Sequence, residues 1–331
     1  MKTEHLDIKN TPRLSILIPT YNYGRFIEKA IHSILNQNFQ DYELIVSDDH
    51  SQDDTQNIVN RIALRDNRVK LFVQPTNLGM VENWNWCLEK SRGDYVMFLF
   101  ADDFLRSNDA ITSLINPLLH DERLSMSASA RMLVDESDVS LFMARDLTQG
   151  GRHSGEKLIQ KCLYETCNLI GEPSAVMFRK ANGVRGFDVT YRQLVDLEMW
   201  FHLAQSGDLF FINRPLVAFR RHEEQQTAIN SRNPTTQIEI FRLIQKYLPP
   251  SSIPNKDIRN RILYASMFLS LRRNLRKNLT LLEAANIYGP LMAEGIKMMP
   301  SAIANPIYRI IKTSRTWRNS YRKRMNKIIH K

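Results

Sequence analysis

Residues 94–103 read Asp-Tyr-Val-Met-Phe-Leu-Phe-Ala-Asp-Asp. An apolar run of this length, rich in aromatic and β-branched residues, reads as a buried strand. It ends on two adjacent carboxylates, Asp102 and Asp103. Ionised acids at the end of a buried strand need a partner, a metal or water. The strand therefore opens at its carboxyl end onto something polar.

Working outward toward the N-terminus, the same pattern repeats. Leu14 to Thr20 is a β-rich run closed by Pro19, and Tyr21-Asn22-Tyr23-Gly24 is turn chemistry. Phe26, Ala30, Ile31, Ile34 and Leu35 then recur at helical spacing. Tyr42 to Ser47 is a second strand, and it ends in Asp48-Asp49. Ser51 reads as the N-cap of a helix reaching about Leu64, with Asp53 and Asp54 in its first turn. Val69 to Val73 is a third strand, and a helix carrying Trp84, Trp86, Cys87 and Leu88 runs on to Gly93. Alternation of this kind predicts an α/β fold with a mainly parallel sheet and helices on both faces. Ligands in such sheets bind beyond the carboxyl ends of the strands. Three strand ends carry polar residues there, which reads as a site.

Toward the C-terminus the pattern is less regular. Glu172-Pro173-Ser174 precedes the apolar run Ala175 to Phe178. Asp196 and Glu198 stand where an amphipathic helix begins, and a strand at 209–212 and a segment at 216–219 lead into Arg220-Arg221-His222. Helical patterning resumes near Thr236.

The chain has 331 residues, 43% hydrophobic, enough for one large core or two modest ones. Its three cysteines fit no zinc or disulfide spacing, and a reducing cytoplasm is the expected compartment. No signal core or membrane-spanning run is evident. The net charge of +10 is uneven: residues 256–331 hold seventeen Lys/Arg against three acids, so residues 1–255 carry −4. In that last quarter Leu263, Phe268, Ile310 and Trp317 alternate with Arg259, Arg272, Lys312 and Arg315, the signature of a basic amphipathic helix on an anionic bilayer. No base-reading motif supports nucleic-acid binding.

These landmarks together resemble the family 2 glycosyltransferases, inverting enzymes of the Rossmann-like GT-A fold. The resemblance runs over roughly residues 13–222: LSILIPTYN at 14–22, VSDDHSQDDT at 46–55, NLG at 77–79, RGDYVMFLFADD at 92–103, VDLEMWFHLAQSGD at 195–208 and LVAFRRH at 216–222. It implies a GT-A domain at residues 1–235 and a basic helical extension at 236–331. The implied donor is a nucleoside diphosphate sugar, with UDP favoured and dTDP or GDP as alternatives. Its nucleotide would meet Pro19, Thr20, Tyr21, Asn22, Asp48, Asp49, Asn77, Asp102, Arg221 and His222. Mg²⁺ or Mn²⁺ would be held by Asp102, Asp103 and His222. Asp196 would be the general base, with Glu198 in reserve, and Glu172 and Ser174 would lie toward the acceptor. That acceptor is expected to be a saccharide or lipid-linked glycan in lipopolysaccharide or capsule assembly, met on the inner face of the cytoplasmic membrane.

Three departures from the family pattern stand out. Phe100 replaces the first acid of the metal motif, His50 stands where many members have glycine, and Val195 replaces the glutamate before the base. Plainer readings accompany each site. Asp102 and Asp103 also suit a solvated turn, Asp196 and Glu198 suit helix N-terminal acids, and the Arg220–His222 run suits an exposed basic turn. For the whole chain the rivals are a nucleotidyltransferase, and a non-catalytic sugar-nucleotide or membrane-binding protein.

Overall fold

The computed structural model describes residues 11–165, 167–222, 225 and 235–247. In chain order the elements are β1 (Leu14–Thr20), α1 (Gly24–Leu35), β2 (Tyr42–Asp48), α2 (Thr55–Ala63), β3 (Val69–Val73), α3 (Met80–Lys90), β4 (Tyr95–Phe98) and β5 (Phe104–Leu105). They continue with α4 (Ala110–His120), β6 (Leu124–Val134), β7 (Ser140–Ala144), β8 (Gly151–His153), α5 (Gly155–Glu165), β9 (Val176–Arg179), α6 (Val195–Ser206) and β10 (Asp208–Arg220). One sheet takes the strands in the order β3-β2-β1-β4-β9-β6-β10-β5, with β7 added to β6 and β8 to β10.

The expected α/β fold is observed. Strands β3, β2, β1 and β4 run parallel. Every residue of β1 and β2 is buried, as expected of parallel strands covered on both faces. Helix α1 lays Phe26, Ile27, Ala30, Ile31 and Ile34 against this sheet. Full burial of a residue such as Ile16, Ile18 or Val46 contributes about 1.5–3 kcal/mol. At the foot of the sheet one buried acid has a purely structural task. Glu43 accepts bonds from Ser15 Oγ (2.8 Å), Arg92 N (2.8 Å) and Lys70 Nζ (3.0 Å).

Four details differ from the sequence reading. Ser51 does not cap α2; its hydroxyl bonds to Asp48, and the helix starts later, at Thr55. Helix α3 ends at Lys90 rather than Gly93. Gly93 instead lets the chain pass close to β1, since a Cβ there would lie 2.6 Å from Ser15 N. The two predicted pieces at 209–212 and 216–219 are one strand, β10, whose register against β6 shifts on either side of Pro215. Such a shift accommodates a residue that cannot donate to the ladder. Finally β9 runs antiparallel between β4 and β6.

The chain separates into two compact units, residues 1–162 with 167–228, and 163–166 with 229–331. The second contains α7 (Thr235–Tyr247), on which Leu243, Ile244 and Tyr247 are buried. The basic amphipathic run expected beyond Lys256 lies outside the described residues. Among the described residues no helix is long and apolar enough to cross a membrane.

Candidate active site

The carboxyl ends of β1 and β2 form one flank of the rim. Asp48 is fully buried and accepts bonds from Ser51 N (3.0 Å), Gln56 Nε2 (2.8 Å) and the Ser51 hydroxyl. Asp49 accepts from Leu78 N (2.6 Å) and Gly79 N (2.9 Å), and Asn77 Nδ2 donates to the Asp49 carbonyl (3.1 Å). The NLG motif is thus the turn that clasps Asp49, and Gly79 takes a φ of +86° that glycine tolerates best. Asn22 and Ser51 tie the first two strand ends together through Asn22 N to Ser51 Oγ (2.8 Å) and Gln52 N to Asn22 Oδ1 (2.8 Å). Pro19 pairs in register with Ser47, and Tyr21 is exposed. Thr20 Oγ1 is buried, and among the described residues it has no hydrogen-bond partner. A buried hydroxyl left open at a strand end is a place where a ligand's polar group gains a bond. His50 adopts a φ of +69°, which explains why glycine suits this position.

The end of β4 answers what its two carboxylates are paired with. Asp103 Oδ2 accepts from Ser174 Oγ (2.5 Å) and Oδ1 from Arg220 N (3.0 Å). Burial first, then the neighbouring Asp102 charge, push its carboxyl well above the ordinary range. Asp102 Oδ2 lies 3.1 Å from His222 Nε2, and both residues are buried. His222 packs between the rings of Tyr23 (5.8 Å) and Phe26 (5.4 Å), and Arg25 Nη2 lies 3.5 Å from its Nδ1. Arg220 is buried, with its guanidinium 4.5 Å from the Phe26 ring centre and Nε donating to the Asp102 carbonyl (2.8 Å). Arg221 is exposed. Phe100 stacks on Trp84 at 4.9 Å and donates its N–H to Ser174 Oγ (3.0 Å). Trp84 is a core residue.

Hard divalent ions take carboxylate oxygens and complete their shells with water and phosphate, and Mn²⁺ also accepts imidazole. Asp102 and His222 stand side by side, 3.1 Å apart, and as one carboxylate and one imidazole they suit Mn²⁺ better than Mg²⁺. Asp103 has both oxygens engaged elsewhere. Among the described residues no cluster of three or more His, Cys, Asp or Glu is arranged to hold a metal.

Across the rim, residues 168–174 lead to a second group of acids. Ser174 holds Asp103, while Glu172 pairs with Arg131, which also binds Asp146 (2.7 Å). Asn168 Nδ2 donates to Asp196 Oδ2 (3.1 Å) and to the Gly171 carbonyl (3.1 Å). Asp196 is part-buried in the first turn of α6, and its pKa is pushed up to about 7. Burial is the main cause, with a smaller push from the Glu172 charge. Burial also raises Glu172 despite its arginine. Two residues on, Glu198 is fully buried and held by Arg185 through two bonds, 2.8 and 2.6 Å. Arg25, Arg131, Asp146 and Asn168 escaped the sequence reading. A buried arginine inside the long apolar strand β6 was the one available sign, since its partners come from distant loops.

Residues 15–183, just over half the chain, match Glycosyl transferase family 2. The chain belongs to this family. Over 110 residues it is 44% identical to an uncharacterized glycosyltransferase of Haemophilus influenzae, covering 33% of this chain and 44% of that one. Over 143 residues it is 38% identical to the GalNAc(5)-diNAcBac-PP-undecaprenol beta-1,3-glucosyltransferase of Campylobacter jejuni, covering 39% of this chain and 46% of that one. The matched stretch spans less than half the length of either relative. In structure, this glycosyltransferase resembles S. aureus TarS 1-349 in complex with UDP-GlcNAc, with a TM-score of 0.66 at 17% identity over 94% of this chain and 92% of that one. At that identity the likeness establishes the shared GT-A-type fold.

Proposed function

We propose that this glycosyltransferase moves one sugar, with inversion, from a nucleoside diphosphate sugar to a saccharide of a lipid-linked glycan in cell-surface polysaccharide assembly. The observation that carries the reading is the segment 168–174. It joins Asp196, poised near neutral pKa, to Asp103 beside the Asp102–His222 pair.

The donor nucleotide lies along Pro19–Asn22, Asp48, Asp49 and Asn77, where the Thr20 hydroxyl is open. Asp102 and His222 would hold Mg²⁺ or Mn²⁺, which when bound would supply Lewis-acid neutralisation of the leaving group, and Arg221 and Arg25 would add positive charge beside it. Asp196 accepts the proton of the acceptor hydroxyl as that oxygen forms its bond to the anomeric carbon and the bond to the diphosphate breaks. A base with a pKa near the working pH suits this transfer. Asn168 orients Asp196 through Oδ2. Glu172 and Ser174 bound the acceptor side. The lipid-linked acceptor is suggested by the Campylobacter relative's name; such an acceptor would be met at the inner face of the cytoplasmic membrane, with the basic C-terminal quarter as an aid to binding there.

The test is release of nucleoside diphosphate from UDP-, dTDP- and GDP-sugars with Mn²⁺ or EDTA. EDTA-sensitive release from one donor class, UDP first, is expected. No release from any donor would sink the enzyme reading and favour a binding protein that keeps the fold.

A further inference from the structure

Strand β7 and the turn before it read Val139-Ser-Leu-Phe-Met-Ala144. Val139, Leu141, Phe142 and Met143 are 58%, 51%, 53% and 36% exposed. Successive residues of a strand point to opposite faces. A strand with one face on the core would bury every second residue; here both sets are open. Single exposed apolar residues are ordinary, but four in five positions on both faces form a patch. The stretch also lacks the lysines and prolines that usually guard a sheet edge.

The hairpin is anchored at both ends to the candidate site. At its turn, Asp138 pairs with Lys29 (2.5 Å) and Arg220 (2.5 Å), and Arg220 also donates to the Glu136 carbonyl (3.1 Å). At its other end Ala144 lies opposite Arg131, the residue that binds Glu172 and Asp146. The charge around the patch is favourable to an anionic surface. Of the turn's three acids, Asp138 is satisfied by its two cations and Asp135 by the amides of Ser137 and Val139 (2.9 Å each), while Glu136 is exposed and sets one negative charge against the cations. An open groove at the base of the hairpin is lined by Lys29, His32 and Arg106 together with Phe104 and Ser140, and Arg145 follows the strand in the exposed surface.

We propose that the β6–β7 hairpin inserts Val139, Leu141, Phe142 and Met143 into the interface of an anionic bilayer, with Arg106 and Arg145 against the lipid headgroups. Apolar side chains flanked by cations are what such an interface binds. At headgroup depth the open strand edge keeps water and headgroup partners, which the hydrocarbon interior would deny it. The inference deepens the lipid-linked acceptor reading and rests on it, because docking here brings the Arg131–Glu172–Asp196 side to the membrane.

The experiment is co-sedimentation of the full chain with phosphatidylglycerol/phosphatidylcholine vesicles and with phosphatidylcholine alone, comparing wild type with L141S/F142S. Loss of two apolar anchors should lower the partition onto anionic vesicles about tenfold or more. Wild type should bind phosphatidylcholine more weakly, and the variant should keep the wild-type melting temperature and donor-only release of nucleoside diphosphate. Equal partition of the two proteins would overturn the proposal. So would a wild-type oligomer that the variant disperses with vesicle binding unchanged, which would make this face a contact between copies. Vesicle binding is read without catalysis, so failure of the enzyme reading and failure of this one are separate results.

Discussion

The strand-end rim of β1, β2 and β4 and the acid group around α6 treat their carboxylates in opposite ways. On the rim, Asp48, Asp49 and Asp103 each receive two or more hydrogen bonds from their own protein. Asp102 differs: its Oδ2 faces the His222 imidazole at 3.1 Å rather than backbone amides. Around α6, Asp196 accepts from the uncharged amide of Asn168 and from backbone N–H groups, and its pKa is pushed up to about 7, whereas Glu198 on the same helix is locked to the charged Arg185. A rim of satisfied acids makes a stiff frame for a charged ligand. A carboxylate held by uncharged donors rather than by a cation can keep a raised pKa and act as a base. The difference teaches that the kind of partner, a charged one or a neutral one, separates a structural acid from one poised to titrate.

The largest effect should come from removing the Asp102–His222 pair. Asp102→Asn or His222→Ala is expected to lower donor turnover by about 10³-fold or more, the scale of losing electrostatic stabilisation at a leaving group. Donor-release assays over a Mn²⁺ titration read it, and a wild-type rate in either variant would remove the pair from the mechanism. Next in size is the locked acid. Arg185→Ala strands the buried Glu198 charge and should cost roughly 3 kcal/mol of stability, measured by urea unfolding; a change within about 0.5 kcal/mol would show Glu198 to be solvated.

The poised acid should behave in the reverse sense. A carboxyl whose pKa rises on folding from 3.8 to about 7 favours the folded state fully below the unfolded pKa and loses that favour as pH climbs toward 7. Asp196→Asn should therefore be more stable than wild type at pH 8, by about 1 kcal/mol after solvent screening, and no more stable at pH 3.5. A loss of stability at pH 8 would make Asp196 a structural acid. Asn168→Ala should lower kcat about tenfold with little change in donor KM, and shift the lower limb of the pH–rate profile. The smallest effect belongs to His50. With φ at +69°, His50→Gly should gain about 0.5 kcal/mol or less, partly offset by the lost contact with Gln74.

Much of this organisation was legible in the sequence, for physical reasons. The runs LSILIPT and DYVMFLF are apolar because both sheet faces are covered, so their position and parallel pairing followed from pattern alone. The acids at their ends stood out because charge is costly there. What remained hidden depended on distant partners. Nothing local to Phe100 shows that its ring fills a cluster with Trp84, or that Ser174 takes its amide. The joining of β10 across Pro215 depends on a register shift against β6. Asp196 and Glu198 look alike in sequence, and only Arg185 and Asn168, brought in by the fold, separate their roles.

The central claim is that Asp196 is the base and that the donor is held elsewhere, on the rim. Asp196→Asn is the direct test, with donor affinity by calorimetry and sugar transfer measured on the same preparation. The account predicts transfer lowered by about 10³-fold or more with donor affinity within about twofold of wild type. Transfer that persists, or donor binding lost along with it, would contradict the assignment.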